Sequence, residues 1–157
     1  MSDTTTQAET QNVAALQRDW IFEWDKAEGP DPREFRTVFD RYYDFDTDVI
    51  LFDEADPQRR TFRSVAEYGE AFWPTFMTMQ SAVHAIAEGP EVLVSGDFAS
   101  GWMIFIAILK AADGEVTSVR CRNSHVWRRT EDRDWHIVRD QTIVEPIPHE
   151  EAVRYFD

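Results

Sequence analysis

The apolar residues in the first part of the chain follow a helical period. From Asn12 onward they recur every three or four positions, which predicts an amphipathic helix that stops at Gly29-Pro30. A second helix is predicted to begin after Asp31, which has the spacing of a capping box with Glu34, and to end near residues 43–46. Both helices carry aromatic residues on their apolar stripes, so both are expected to cover a core.

Short strands and a third helix are predicted next. The apolar run Val49–Phe52 predicts a strand, and Thr61–Arg63 is a candidate to return beside it. Ser64 has the spacing of an N-cap and starts the third helix. This helix is predicted to stop or kink at Pro74, because proline removes a backbone donor.

The second half of the chain has the spacing of strands. The predicted strands are Ala82–Ala87, Glu91–Ser95, Phe98–Lys110, Val116–Arg129 and Trp135–Glu145. Gly89-Pro90 indicates a bulge or bend between the first two of them. Helices first and a strand meander last predict an α+β fold, in which about three helices pack on a strongly bent sheet that encloses a cone.

The last two strands carry more ionisable groups than core strands usually do, which indicates the wall of a pocket. Side chains alternate along a strand, so its two faces differ. One face of 116–129 carries Cys121, Asn123, His125 and Trp127, and the other carries Arg120, Arg122, Ser124 and Val126. An inward histidine face suits acid–base chemistry, whereas an inward arginine face suits a carboxylate or phosphate ligand. The sequence leaves both orientations open.

Charge and cysteine content limit the partners and the compartment. The 157 residues include 16 Lys and Arg against 30 Asp and Glu, and the net charge of −14 disfavours nucleic acid and anionic membranes. One cysteine, Cys121, fits a reducing compartment, and neither a signal peptide nor a membrane span is predicted, so a cytoplasmic location is expected. Residues 1–11 are expected to be a disordered tail, 12–148 a single domain and 149–157 an acidic C-terminal tail.

The order of the elements resembles that of the NTF2-like superfamily, and within it the SnoaL-like and ketosteroid-isomerase-like proteins. The resemblance covers about residues 12–146 and rests on VILFDEADP (residues 49–57) and on HVWRRTEDRDWHIVRDQT (residues 125–142). It implies a cone-shaped fold and a homodimer formed through the sheet. This fold hosts isomerases, dehydratases, cyclases, epoxide hydrolases and non-catalytic oligomerisation modules, so any chemistry has to be inferred from individual residues.

Three residues are candidates for catalysis. The resemblance places Asp53 where the isomerases carry their general base, and His125 where they carry an acid on the penultimate strand. A hydrophobic pocket raises the pKa of an aspartate toward the range of a general base; the alternative for Asp53 is a solvent-facing turn residue. Asp140 either orients His125, as in an Asp–His dyad, or pairs with Arg122 or Arg120.

Six further residues are candidates to bind a small hydrophobic ligand. They are aromatic or polar residues expected near the cone: Trp24, Trp73, His84, Trp102, Asn123 and Arg122. Ordinary core packing is the alternative for the aromatic residues, and a structural role is the alternative for His84. The histidines lack the spacing of metal ligands, so neither a metal nor a cofactor is expected.

Two functions are compatible with these residues. The first is a small cofactor-independent isomerase, dehydratase or cyclase that acts on a polyketide-, steroid- or terpenoid-like molecule. Asp53 would take a proton and His125 would stabilise the oxyanion. The position of the isomerases' tyrosine donor holds Trp20, Phe22 and Trp24, so steroid isomerisation itself is not expected. The alternative is a non-catalytic ligand-binding or dimerisation module. An open hollow beside Asp53 and His125 favours the enzyme, and a cone filled by Trp side chains favours the module.

Overall fold

The computed structural model describes residues 3–132 and 134–157. The helices are α1 (Asp3–Phe22), α2 (Phe35–Phe39), α3 (Val65–Thr78) and α4 (His149–Val153), and a 3₁₀ turn (Arg154–Phe156) follows the last of them. The strands are β1 (Ile50–Asp53), β2 (Thr61–Phe62), β3 (Ser81–Ser95), β4 (Phe98–Lys110), β5 (Val116–Arg129) and β6 (Trp135–Pro146).

All six strands form one open sheet in the order β2-β1-β6-β5-β4-β3. Neighbouring strands are antiparallel except β1 and β6, which run parallel. The four long strands are therefore a meander, and the last of them, β6, lies beside β1. The α+β class predicted from the order of the elements is confirmed.

β3 bends where the sequence predicts. Its register against β4 shifts between Ile86 and Glu88 and again between Glu88 and Glu91, and the Gly89-Pro90 peptide is cis. Gly89 has a φ of +83°, and a Cβ there would lie 2.7 Å from the Trp102 carbonyl oxygen. The bend needs a glycine at this position, because an L side chain fits neither the dihedral angle nor the space.

The first helix begins earlier than the sequence predicts. α1 starts at Asp3, inside the segment expected to be disordered. Within that segment Glu9 Oε2 accepts hydrogen bonds from Arg129 Nη1 (2.8 Å) and Trp135 Nε1 (2.9 Å). These contacts with distant strands hold the polar first turns of the helix in place, and no local sequence pattern encodes them. The part of the predicted tail at residues 1 and 2 lies outside the described residues.

The connection between α1 and α2 also differs from the prediction. α1 ends before the predicted stop because the backbone of Lys26 pairs with Ala82 of β3, which requires an extended chain (2.8 and 2.9 Å). The predicted capping box at Asp31 is wrong. Its carboxylate accepts from the backbone and side-chain nitrogens of Arg33, and the second helix begins only at Phe35.

The third helix starts as predicted and continues further than predicted. Ser64 Oγ accepts from the backbone N–H of Glu67 (3.2 Å), which confirms the N-cap. The helix then passes through Pro74 to its end at Thr78, so the predicted stop is wrong. Trp73 and Phe76 are buried on either side of the proline, and their burial offsets the lost backbone hydrogen bond.

The core lies between the helices and one face of the sheet. Its largest buried side chains include Trp20, Phe39, Tyr43, Tyr68, Trp127 and Trp135. The C-terminal residues 149–156 pack on the opposite face of the sheet, where Ala152 and Ile106 are fully buried. Among the described residues, no helix combines the length and the apolar character that spanning a bilayer requires.

Candidate functional site

The strand face left open by the sequence is fixed by burial along β5. Cys121, Asn123, His125 and Trp127 are buried and point toward the helices, on what we call the inner face. The alternate residues of β5, among them Arg122 and the small Ser124, belong to the outer face. The histidine face therefore points into the fold, and the arginine face points away from it.

His125 and Asp140 are direct cross-strand partners on the inner face of β5 and β6. The His125 Nε2 atom lies 3.3 Å from Asp140 Oδ2, and both side chains are fully buried. Arg120, one of the alternative partners of Asp140, instead pairs with Glu145 and Glu151 on the outer face. The structure thus shows the Asp–His pair, and Asp140 has no arginine partner within the described residues.

A chain of polar side chains extends this pair through the core. Thr142 Oγ1 donates to Asp140 Oδ1 (2.7 Å), and Asn123 Nδ2 contacts both Thr142 Oγ1 (3.0 Å) and Asp140 Oδ1 (3.3 Å). Gln17 Nε2 of α1 donates to Asn123 Oδ1 (2.9 Å), and Trp127 Nε1 donates to Gln17 Oε1 (3.3 Å). Each buried polar group in this chain satisfies another, as burial requires.

Gln17 is a member of this network that the sequence analysis missed. It lies four residues after Val13 and three before Trp20, so it occupies an apolar stripe, and a polar residue there is the available signal. Its amide comes so close to β4 that a Cβ on Gly101 would overlap it. Gly101 is the β4 neighbour of His125. The glycine therefore gives α1 access to the polar chain.

Asp53 lies at the end of β1 and faces the same interior. Its register partner is Thr142, and Oδ1 accepts from the backbone N–H of Ala55 (2.8 Å). Burial, together with the nearby Asp140 carboxyl, raises the pKa of Asp53 to about 7. The residue is partly exposed at the end of its strand. Asp53 thus joins the inner polar group while keeping the turn contact that the alternative interpretation predicted.

Two tyrosines complete this region, and the sequence analysis named neither. Tyr43 OH accepts from Trp20 Nε1 (3.0 Å), and Tyr68 of α3 lies beside it. Burial and the Asp53 and Asp140 carboxyls raise the pKa of both phenols well above the usual range. Two tyrosine hydroxyls therefore approach the interior from positions outside the first helix. The resemblance to the isomerases placed the tyrosine donor in the first helix instead.

Aromatic side chains fill the space between the helices and the sheet. Trp24 and Trp73 pack edge to face with ring centroids 5.6 Å apart, and Trp24 also contacts Phe39 (4.8 Å) and Phe76 (5.2 Å). Trp73 is buried and Trp24 is half-buried. Both predicted ligand-binding tryptophans are thus part of a packed aromatic cluster. Cys121 is buried on the same face, which together with Asp53 raises the pKa of its thiol.

Of the other predicted ligand-binding residues, three lie around one hollow of the sheet, and His84 lies apart from them. His84 Nδ1 lies 2.7 Å from Asp25 Oδ1, near the start of β3. Asn123 belongs to the inner polar chain, and its backbone alone can reach the outer face. Trp102 and Arg122 lie on the outer face of β4 and β5. No group of three His, Cys, Asp or Glu among the described residues is placed to hold a metal ion.

The outer face of the sheet has a hollow of about 390 Å³, which we call the outer hollow. It is lined by Trp102, Arg122, Asn123, Ser124, Val126, Arg139, Gln141 and Ile143. A second hollow of about 360 Å³ lies between β2 and α3. Neither of these two is lined by Asp53, His125 or Asp140.

Large apolar side chains are exposed on the same outer face. Leu93 is 79% exposed, Phe98 52%, Ile50 42% and Ile143 39%. The register places these residues beside outward-facing neighbours such as Val126, because cross-strand partners share a face. The part of the outer face that the C-terminal residues leave open is therefore both apolar and hollowed.

Comparison with known proteins gives a fold and no close relative. No protein-family model matches the chain, and no curated protein matches it. Among solved structures, an NTF2-like superfamily protein from Salmonella enterica serovar Typhimurium is similar at 18% identity with a TM-score of 0.74. The match covers 92% of this chain and 95% of that one.

Two further structures differ in what their names describe. The association domain of CaMKII from C. elegans has a TM-score of 0.63 at 12% identity and covers 89% of this chain and 98% of its own. A candidate ketosteroid isomerase from Shewanella frigidimarina has a TM-score of 0.57 at 14% identity. This match covers 69% of this chain and 82% of that one. At these identities the similarities establish the fold and leave the function open.

Proposed function

The chain has the NTF2-like fold, and we propose that it is a self-association module in which two copies pair through the outer face of the sheet. The observation that carries the proposal is the exposed apolar set on that face, with Leu93 79% and Phe98 52% exposed. Single exposed apolar residues are common, but several on one sheet face mark an interaction site.

The distribution of charge supports a second copy as the partner. With a net charge of −14, two copies repel one another across most of their surfaces. The centre of the outer face is different, because Arg122 and Arg139 lie there among apolar and uncharged residues. Pairing through this face uses a part of each surface that lacks the general excess of carboxylates.

The area that pairing needs is available. A stable interface buries about 800 Å² on each partner. The whole surface of the chain is 8854 Å², so such an interface takes roughly a tenth of it. The open part of the outer face spans four long strands and β1, and with strands about 4.8 Å apart and about 3.3 Å per residue this is a surface of that order. The structural neighbour from C. elegans is named as an association domain, which agrees with this use of the fold.

The interior favours a module over an enzyme. The cone is occupied by Trp24, Trp73 and their aromatic neighbours, and the His125–Asp140 pair is sealed beneath α1. A substrate would have to displace packed rings to reach either residue. In solution, the proposal predicts a molar mass near twice 18.3 kDa by light scattering. A mass near 18.3 kDa from micromolar to near-millimolar chain would contradict it.

Acid–base catalysis on a small hydrophobic molecule is the second candidate, and one observation favours it. Asp53, with a pKa of about 7, lies at the partly exposed end of the inner polar group. Such a carboxyl can accept a proton from a carbon acid and return it at neutral pH. His125 would act only if the aromatic cluster opened, so binding of a ligand inside the cone is the first requirement.

The test of the second candidate is a ligand screen followed by a variant. A hydrophobic ketone that binds should shift the resonances of Trp24 and Trp73, and its turnover should fall by about 10²–10⁴ in Asp53→Asn. Turnover that survives in this variant would remove Asp53 from the mechanism. The self-association proposal and the acid–base proposal can be tested separately, because Asp53→Asn leaves the outer face unchanged.

A further inference from the structure

We infer that the outer hollow is a binding site for a small carboxylate with a flat apolar body, held by Arg122 and Arg139. The site is on the face proposed for self-association, so the ligand binds a single copy and competes with pairing. Asn123 is the one residue of the inner polar group among the lining residues of the outer hollow, and its side chain faces inward.

The register explains why a hollow forms here. Trp102, Ser124 and Gln141 are cross-strand neighbours on β4, β5 and β6, so the small serine is the floor between two larger side chains. On one side of this row Arg122 is opposite Ile143, and on the other Arg139 is opposite Val126. Neighbouring positions on a sheet are about 5–8 Å apart, so the two arginines start from opposite corners of the floor, and both line the outer hollow.

The two arginines are available for a ligand. Neither Arg122 nor Arg139 forms an ion pair or a side-chain hydrogen bond with any described residue. By contrast, Arg120 on the same face pairs with Glu145 and Glu151. The described residues that line the outer hollow include two arginines and no carboxylate, although the chain has 30 acidic residues against 16 basic ones. The charge of this hollow is therefore opposite in sign to the net charge of the protein.

The lining selects the class of ligand. Guanidinium groups bind carboxylates through paired N–H donors, and the Gln141 amide and Ser124 hydroxyl add neutral hydrogen bonds. Trp102, Val126 and Ile143 supply apolar contacts around them. A bare phosphate would use the arginines and leave this apolar wall in water. An aromatic or alicyclic monocarboxylate uses both parts, and a body of ten to fifteen atoms is of the usual size for a hollow of about 390 Å³.

The experiment is a titration of the protein with 1-naphthoate. Binding is measured by calorimetry and, by NMR, from the shift of the indole N–H resonance of Trp102. A dissociation constant on the order of 1 mM is expected for a ligand of this size. Arg122→Gln and Arg139→Gln should each weaken binding at least about tenfold. Arg128→Gln is the matched control, because it removes the same charge from the same strand face without lining the outer hollow, and its affinity should stay within about twofold.

Two further arms separate the ligand class and the proposed self-association. Uncharged 1-naphthamide and inorganic phosphate should each bind at least about tenfold more weakly than 1-naphthoate. The titration is repeated in Leu93→Glu, which changes the proposed association face outside the hollow and should retain binding. A Leu93→Glu protein that still dimerises as tightly as the wild type, with retained binding of 1-naphthoate, would overturn only the association proposal.

Three results would overturn the carboxylate site. The first is no heat and no shift of the Trp102 resonance up to about 10 mM 1-naphthoate. The second is wild-type affinity for 1-naphthoate in both arginine variants. The third is binding of 1-naphthamide or phosphate as tight as that of 1-naphthoate. Because Arg122 and Arg139 are exposed, both variants should fold, and a circular dichroism spectrum identical to that of the wild type verifies this.

Discussion

His125 and Asp140 lie directly opposite each other on β5 and β6, with Nε2 and Oδ2 3.3 Å apart and both side chains fully buried. Asp140 also accepts hydrogen bonds from Thr142 and Asn123, so its two oxygens contact three polar side chains. The other ring nitrogen of His125, Nδ1, has no hydrogen-bond partner among the described residues. The pair is therefore the centre of a buried network that is complete on the carboxylate side only.

Removing the carboxylate of this pair should destabilise the fold. Asp140→Ala takes the buried partner from Thr142 Oγ1 and from His125 Nε2, and breaking a buried polar network of this kind costs about 3 kcal/mol of the free energy of unfolding. Chemical denaturation at pH 7 measures the change. Asp48→Ala is the control, because Asp48 is exposed and should change stability by less than about 0.5 kcal/mol. An Asp140→Ala protein as stable as this control would mean that the pair contributes nothing to the fold.

Stability should depend on pH through Asp53. The pKa of this carboxyl is about 7 in the folded chain and near 3.8 in the unfolded chain, so the folded state binds more protons between these values. The free energy of unfolding therefore falls as pH rises from about 4 to about 7. Asp53→Asn removes the titrating group, and at pH 8 it should be the more stable protein by on the order of 2 kcal/mol.

Denaturant titrations at pH 4.5 and pH 8 distinguish this from a general acid effect. Asp53→Asn should lose the decline between the two values, whereas Asp48→Asn, at an exposed position, should keep it. A wild-type stability that rises between pH 4.5 and pH 8 by as much as it rises in Asp53→Asn would show that Asp53 is not held protonated.

Gly101 and Gln17 should be energetically coupled. A Cβ at Gly101 would overlap the Gln17 amide, so Gly101→Ala should cost about 1–3 kcal/mol of stability through overpacking. Gln17→Ala also destabilises, because Asn123 and Trp127 lose a partner. Since the second change removes the overlap, the double variant should lose less stability than the sum of the two single losses. Additive losses in this double-mutant cycle would indicate that α1 does not approach β4 here.

Local patterns predicted the parts of the fold that local physics controls. The strand limits of β4 and β5 and the Ser64 cap follow from alternation and from an N-cap spacing, and the bend of β3 follows from Gly89-Pro90. Residues whose position depends on distant contacts were not predictable in this way. Glu9 is held by two strands more than a hundred residues away, and these contacts fix a helix where composition predicts disorder.

The candidate site was predictable in its residue types and not in its orientation. Asp53, His125 and Asp140 do face one interior, but only burial along the strand shows which face of β5 this is. Trp24 and Trp73 pack against aromatic rings from several elements, and the sequence pattern does not show this packing. Tyr43, in the segment after α2, and Tyr68 of α3 also reach this interior, and no motif marks them as site residues. The arginine face proved to be the outer one, where a hollow forms because Ser124 is small.

The most direct test of self-association through the outer face is sedimentation velocity of three proteins over a range of concentrations. The wild type should sediment as a dimer, and Ala15→Glu, which adds the same charge on the exposed side of α1, should match it. Leu93→Glu, at a position 79% exposed in the single chain, should fold normally and raise the dimer dissociation constant by about 100-fold. A monomeric wild type, or a Leu93→Glu protein that dimerises as tightly as Ala15→Glu, would contradict the account.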